Sequence, residues 1–133
     1  MPTEVTGREP STACRVLPVE DHIDTRDMLA RLLSSDYDVR TAQCYDSALS
    51  SALQAKPDVV VTDVGLPGRD GVMLMRELHR RYQVPGIAVT GHTPEDPGAY
   101  RDAGFVTCLT KPIQLDQLIR ALNAACRPDR AST

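Results

Sequence analysis

A chain of 133 residues, 41% apolar and 25% charged, is one globular domain by size, with enough apolar material for a single core. Its formal net charge of −3 supplies none of the basic face that nucleic-acid binding requires, and no apolar run approaches the roughly 18 residues of a membrane span. Met1 opens a polar stretch without a signal-peptide core, so the cytoplasm is the expected location, with neither nucleic acid nor membrane as a direct partner.

Residues 1–13 are polar, contain two prolines and read as a loose tail, as do residues 127–133. One domain is expected between them, over residues 14–126. The first apolar run, "CRVLPV" (14–19), predicts a strand, and Pro18 inside it predicts a local bulge, since proline cannot donate to a ladder. Further strands are expected at "DVRTA" (38–42), "DVVVTD" (58–63), "GIAVT" (86–90) and "FVTCL" (105–109). Most are continuous rather than alternating, as in strands covered on both faces.

Helical spacing fills the gaps. Met28, Leu29, Leu32 and Leu33 share one face, then Ala48, Leu49, Ala52 and Leu53, then Val72, Met75, Leu78 and Tyr82. Leu115, Leu118, Ile119 and Leu122 form the last. Asp24 and Asp70 read as N-caps. The fourth helix is short: Asp96 caps it, Pro97 opens it and Gly104 stops it in under two turns. The run "RELHRR" (76–81) reads as the wet face of the third helix. Alternating strands and helices give a parallel five-stranded α/β sandwich. The cysteines Cys14, Cys44, Cys108 and Cys126 contain no C-x-x-C pair, and reduced, half-buried thiols are expected over a disulfide or metal set.

In a parallel sheet, ligands sit at the carboxyl ends of the strands. The residues found there are Glu20 and Asp21, Asp63, Thr90 with Gly91, and Lys111 with Pro112. Three clustered acids repel one another unless a cation intervenes. Mg²⁺ fits, because it takes one or two carboxylates, keeps waters and accepts phosphate oxygens. Asp63 is then a candidate nucleophile that can form an aspartyl phosphate, with Lys111 and Thr90 meeting the incoming charge. Glycine at Gly65 and Gly91 lets backbone groups approach. His22 and His79 are not expected as ligands, because magnesium prefers oxygen.

The set "VEDH", "VVVTDVGLPGRDG", "VTGH" and "LTKP" resembles the receiver domain of two-component response regulators, over roughly residues 14–126. The resemblance implies a flavodoxin-like, doubly wound sheet of order 2-1-3-4-5 with five helices on both faces. It implies that Asp63 accepts a phosphoryl group from a histidine kinase or histidine phosphotransfer protein. Asp21 would bind magnesium directly, Glu20 mostly through water, and Gly65 through its carbonyl, alongside Asp63. Thr90 and Lys111 would contact the phosphoryl group, and the Lys111–Pro112 peptide is often cis in the family. Signalling would pass through the fourth helix, fifth strand and fifth helix to a downstream protein partner, a phosphorelay or a further domain. Self-phosphorylation and autodephosphorylation would be the only reactions, so no enzyme acting on external substrates is implied. "GIAVTGH" and "AGFVTCLTKP" look most like receivers attached to hybrid sensor kinases.

One departure stands out. The family usually places an aromatic residue three positions before the lysine, and here that residue is Cys108. Together with Pro18 it supports an alternative, a receiver-like interaction module that signals without phosphorylation. His92, two residues past Thr90, is expected to modulate dephosphorylation. A hydrolase of external esters would need a second acid two residues past Asp63, where Gly65 stands. A nucleotide binder would need a glycine-rich phosphate motif that is missing.

Overall fold

The computed structural model describes residues 14–65, 70–91 and 96–126. The two expected tails and His92 lie outside the described residues. The strands are β1 (Arg15–Val19), β2 (Asp38–Val39), β3 (Val59–Asp63), β4 (Gly86–Thr90) and β5 (Phe105–Thr110). The helices are α1 (Ile23–Leu33), α2 (Tyr45–Gln54), α3 (Gly71–Tyr82), α4 (Pro97–Ala103) and α5 (Leu115–Ala125). All strand pairs are parallel, in the order β2-β1-β3-β4-β5. The doubly wound sheet expected from the sequence is therefore the one formed.

Two apolar layers hold the helices to the sheet. Leu17, Val19, Val60 and Ala88 pack with Ala48 and Ala52 of α2, Leu74, Met75 and Leu78 of α3, and Ala103 of α4. On the other face Val16, Val59, Val61, Ile87 and Val89 pack with Leu29 and Leu33 of α1 and Leu118 and Leu122 of α5. Burying one such side chain contributes about 1.5–3 kcal/mol, so these layers set the strand register. The expected helix faces are half right. Leu29, Leu33, Ala48, Ala52, Leu118 and Leu122 are buried, but Met28, Leu32, Leu53 and Leu115 are exposed. A helix lying on a twisted sheet buries one narrow stripe, and the flanking apolar residues of a wider stripe stay outside it.

Asp70 caps α3 by accepting from Met73 N at 2.9 Å, and Asp96 caps α4 by accepting from Ala99 N at 3.2 Å. Asp24 does not cap α1: the helix starts two residues earlier, after His22, and Asp24 sits in its first turn. There its charge still suits the positive end of the helix dipole. Gly104 ends α4 at φ 114°, a left-handed conformation that any side chain would strain, and a Cβ there would also press on His79. His79 hydrogen-bonds the Val84 carbonyl at 3.1 Å. On the wet face of α3, Glu77 pairs with Arg80 and Arg81.

Pro18 produces no bulge. Successive residues of a parallel strand turn their N–H and C=O to alternate sides. The Arg15 carbonyl accepts from Asp58 on the β3 side, whereas Cys14, Val16 and Pro18 accept from Asp38, Arg40 and Ala42. The missing N–H of Pro18 therefore faces the edge strand opposite Arg40, and the β1–β3 ladder runs unbroken with Pro18 aligned on Val61. The loss falls on β2, which is shorter than the expected 38–42: it ends at Val39, and pairing resumes only at a single Val19–Ala42 bridge. The register shift lies instead between β4 and β5. Gly86 pairs with Phe105 and Ile87 with Thr107, so Val106 is the extra residue.

The cysteine expectation is corrected. Cys14 and Cys126 form a disulfide across a separation of 112 residues, with Cα atoms 5.9 Å apart. The start of β1 and the end of α5 meet in one apolar layer, a proximity that sequence spacing does not show. Cys44 and Cys108 remain free thiols.

Gly71 opens α3 directly against the backbone that follows Asp63. Its N–H donates to the Val64 carbonyl at 2.8 Å. A Cβ here would overlap the Asp63 backbone oxygen and come within 2.9 Å of Val64 Cα. The Gly71→Ala protein is expected to lose roughly 1–3 kcal/mol, because only a backbone shift can relieve the overlap. Urea unfolding at neutral pH measures this, and an unchanged midpoint would refute the reading.

Candidate functional site

The carboxyl ends of β1, β3, β4 and β5 converge at one rim, because all the strands run the same way. Glu20 follows β1 and is held by backbone bonds on both sides: its N–H donates to the Ala42 carbonyl, and its own carbonyl accepts from the Arg26 guanidinium at 3.0 Å. Its side chain is buried, 3% exposed. Asp21, next in the chain, is exposed. Asp63 ends β3 and is 7% exposed. One carboxyl oxygen of Asp63 accepts from Gly65 N at 2.9 Å, and the other accepts from Lys111 Nζ at 2.7 Å. Lys111 is fixed from behind by its N–H, which donates to the Thr90 carbonyl at 2.8 Å, and by the cis Lys111–Pro112 peptide.

Oxygens of Glu20, Asp21 and Asp63 and a ring nitrogen of His22 all lie within 4.8 Å of one another. Two of the three acids are buried, and burying charge without a partner is costly. The local potential is therefore strongly negative, and two basic side chains register it. The Lys111 pKa is raised, first by its hydrogen bond to Asp63; burial opposes the rise, and the charges of Asp63, Glu20 and Asp21 each add a smaller push upward. That bond stabilises the fold fully below the usual lysine range and is lost only as pH rises through the raised value. Lys111 is thus an ammonium at neutral pH. His22 also has a raised pKa, led by its hydrogen bond to Glu20 at 2.9 Å, with Asp21 adding attraction. Sequence reasoning set His22 aside as a ligand. The structure places it among the acids, as a charge partner whose own N–H also donates to Glu20.

An oxygen-rich set of this kind suits a hard cation such as Mg²⁺, and Glu20, Asp21 and Asp63 are the side chains that would hold it. A cleft of about 260 Å³ lined by Glu20, His22, Thr25, Met28, Lys111 and Pro112 opens beside them. A larger one, about 560 Å³, lies at the other end of the sheet near Pro57, Asp58 and Pro85, away from the carboxylates. Size does not mark the site here; convergent charge does.

Residues 16–123 match the response regulator receiver domain family. The chain belongs to that family. Its receiver fold is similar to a CheY-like receiver domain protein from Methanospirillum hungatei, at TM-score 0.83 and 20% identity over 91% of this chain and 99% of that one. It is also similar to the chemotaxis response regulator CheY4 of Vibrio cholerae, at 28% identity and TM-score 0.76, covering 86% and 99% of the two chains. The receiver domain of NtrX from Brucella abortus is 30% identical at TM-score 0.74, covering 84% and 97%.

Within this receiver domain, Glu20, Asp21, Asp63, Gly65, Thr90 and Lys111 lie at the common rim, whereas His92 lies outside the described residues. The aromatic position is the feature that sequence reasoning missed. Because Val106 bulges out, 62% exposed, Phe105 falls on the same face of β5 as Cys108. Phe105 there stacks at 5.6 Å, tilted by 41°, on Tyr100 of α4. Tyr100 also forms a side-chain hydrogen bond with Thr90; burial raises its pKa, and that bond opposes the rise. The bulge was not visible in the sequence, because "FVTCL" reads as one even strand.

Proposed function

We propose that this receiver domain takes a phosphoryl group onto Asp63 from a phosphohistidine of a histidine kinase or a histidine phosphotransfer protein. The supporting observation is the 2.7 Å bond between Lys111 Nζ and Asp63 in a nest of buried carboxylates. A carboxyl oxygen of Asp63 forms the new bond to phosphorus as the phosphorus–nitrogen bond breaks. The electron pair returns to the imidazole, which takes up a proton. Lys111 then transfers part of its pairing from the carboxylate to the phosphoryl oxygens, and the Thr90 hydroxyl donates to one of them. Glu20, Asp21 and Asp63 would hold Mg²⁺, with the Gly65 carbonyl as a backbone ligand. When bound, the ion neutralises charge that the acids alone would oppose.

The group adds roughly −1.5 to −2 charge at the rim, by analogy with other phospho-residues. The α4–β5–α5 surface carries the consequence to a protein partner. The domain turns over no external substrate beyond accepting and losing its own phosphoryl group. The setting proposed is the cytoplasm, where such donors act. No helix among the described residues is long and apolar enough to cross a membrane. Attachment to a hybrid sensor kinase remains part of this proposal. The phosphorylation-independent reading loses one support, since Pro18 leaves the β1–β3 ladder intact.

The test is incubation with a small acyl phosphate and Mg²⁺, read by intact mass. The protein should gain one phosphoryl group, and chelation of the metal should prevent the gain. An unchanged mass would overturn the reading.

A further inference from the structure

We propose that Tyr100 is the positioning residue that couples the state of Thr90 to α4 and the outer face of β5, in the role that Cys108 is too small to fill. This rests on the phosphoryl reading above. Three observations converge on it. Thr90 is buried at the carboxyl end of β4, 6% exposed, and its side chain engages Tyr100. Tyr100 is stacked on Phe105, whose place on this face depends on the Val106 bulge. A cleft of about 160 Å³, lined by Pro97, Tyr100, Arg101, Phe105 and Cys108, lies beside the ring. Cys108 lines that space together with the Tyr100 ring, so the ring has somewhere to move.

The physical consequence is a competition for one hydroxyl. Thr90 can serve Tyr100 or an incoming phosphoryl oxygen, and the charged acceptor makes the stronger bond. Once Thr90 turns to the phosphoryl group, the Tyr100 hydroxyl loses its partner. The helix that carries Tyr100 has only 7 residues and few backbone bonds to resist a shift. The signal would thus pass from the rim to α4 through a helix residue rather than a strand residue.

Tyr100→Phe tests this, because it keeps the ring on Phe105 and removes only the hydroxyl. Two readouts are used: hydrogen exchange of the α4 amides and the alkylation rate of Cys108, each with and without phosphorylation by an acyl phosphate and Mg²⁺. The parent should show a several-fold change in both on phosphorylation. The variant should gain the phosphoryl group to the same extent, yet already show the altered values before phosphorylation and change little afterwards. A variant that keeps the parental response overturns the proposal, as does a phosphorylated parent with neither readout changed. Failure of the parent to gain mass would instead sink the proposed function. In that case the coupling is judged in the unmodified protein. Thr90→Val and Tyr100→Phe should each loosen α4, and the double variant should be no looser than either alone. Additive effects, or none, overturn the coupling.

Discussion

The Asp63→Asn protein gains no phosphoryl group from an acyl phosphate in the presence of Mg²⁺, while it folds as well as the parent. The amide keeps the shape of the side chain and its bond from Gly65, but it lacks the nucleophilic oxygen. Folding survives for two reasons. Lys111 is 38% exposed in its side chain, so water can take over its solvation when the ion pair is lost. Only the lysine end of this pair is open to solvent, and a pair screened in that way contributes on the order of 1 kcal/mol. Removing one of three acids within 4.8 Å also relieves repulsion, which offsets the loss. The contrast is Lys111→Met, which keeps the nucleophile but removes the cation over the developing charge. It should slow phosphoryl uptake by about 10²–10³-fold, the usual cost of losing one such donor, without abolishing it. Intact mass over a time course separates the two outcomes. Uptake by Asp63→Asn at the parental rate would move the nucleophile elsewhere.

The second large effect is on stability. Reducing the Cys14–Cys126 disulfide lowers the melting temperature by on the order of 10 °C, because it frees a closed loop of 112 residues. In the chain-entropy view a loop of that length stabilises by roughly 5 kcal/mol, nearly all of it through the unfolded state. The Cys14→Ser protein should melt at the same lower temperature and should not respond to reductant. Under reducing conditions the pair becomes two thiols, so the oxidised and reduced forms define the upper and lower limits of stability. If the parent melts identically with and without reductant, or if all four cysteines alkylate without it, the bridge contributes nothing.

These effects divide the molecule into what sequence pattern reveals and what it hides. Strand β4 lies where the apolar run placed it, over Gly86–Thr90, because it is covered on both faces and packing allows no slack. Asp70 and Asp96 were legible as caps because capping is local chemistry between residues three apart. The acids, Thr90 and Lys111 were legible because each follows an apolar run, and parallel topology then brings those ends together. What escaped was set by long-range geometry. Pro18 was misjudged because the side to which its missing N–H points depends on which neighbour is the edge strand. Leu32 and Leu115 were counted as core because periodicity gives a face but not the width that the sheet covers. The aromatic ring of Phe105 escaped because one bulge, at Val106, moves it to the Cys108 side of the strand. The Cys14–Cys126 pairing joins the two ends of the described chain and has no local signature at all.

The measurement that bears most directly on the central claim is the chemical location of the phosphoryl group. The protein is treated with an acyl phosphate and Mg²⁺, reduced with borohydride to convert any aspartyl phosphate to homoserine, digested and mapped by mass. Homoserine at position 63, absent when the metal is chelated, is the expected result. A converted residue at any other position, or full conversion at Asp63 without metal, would contradict it.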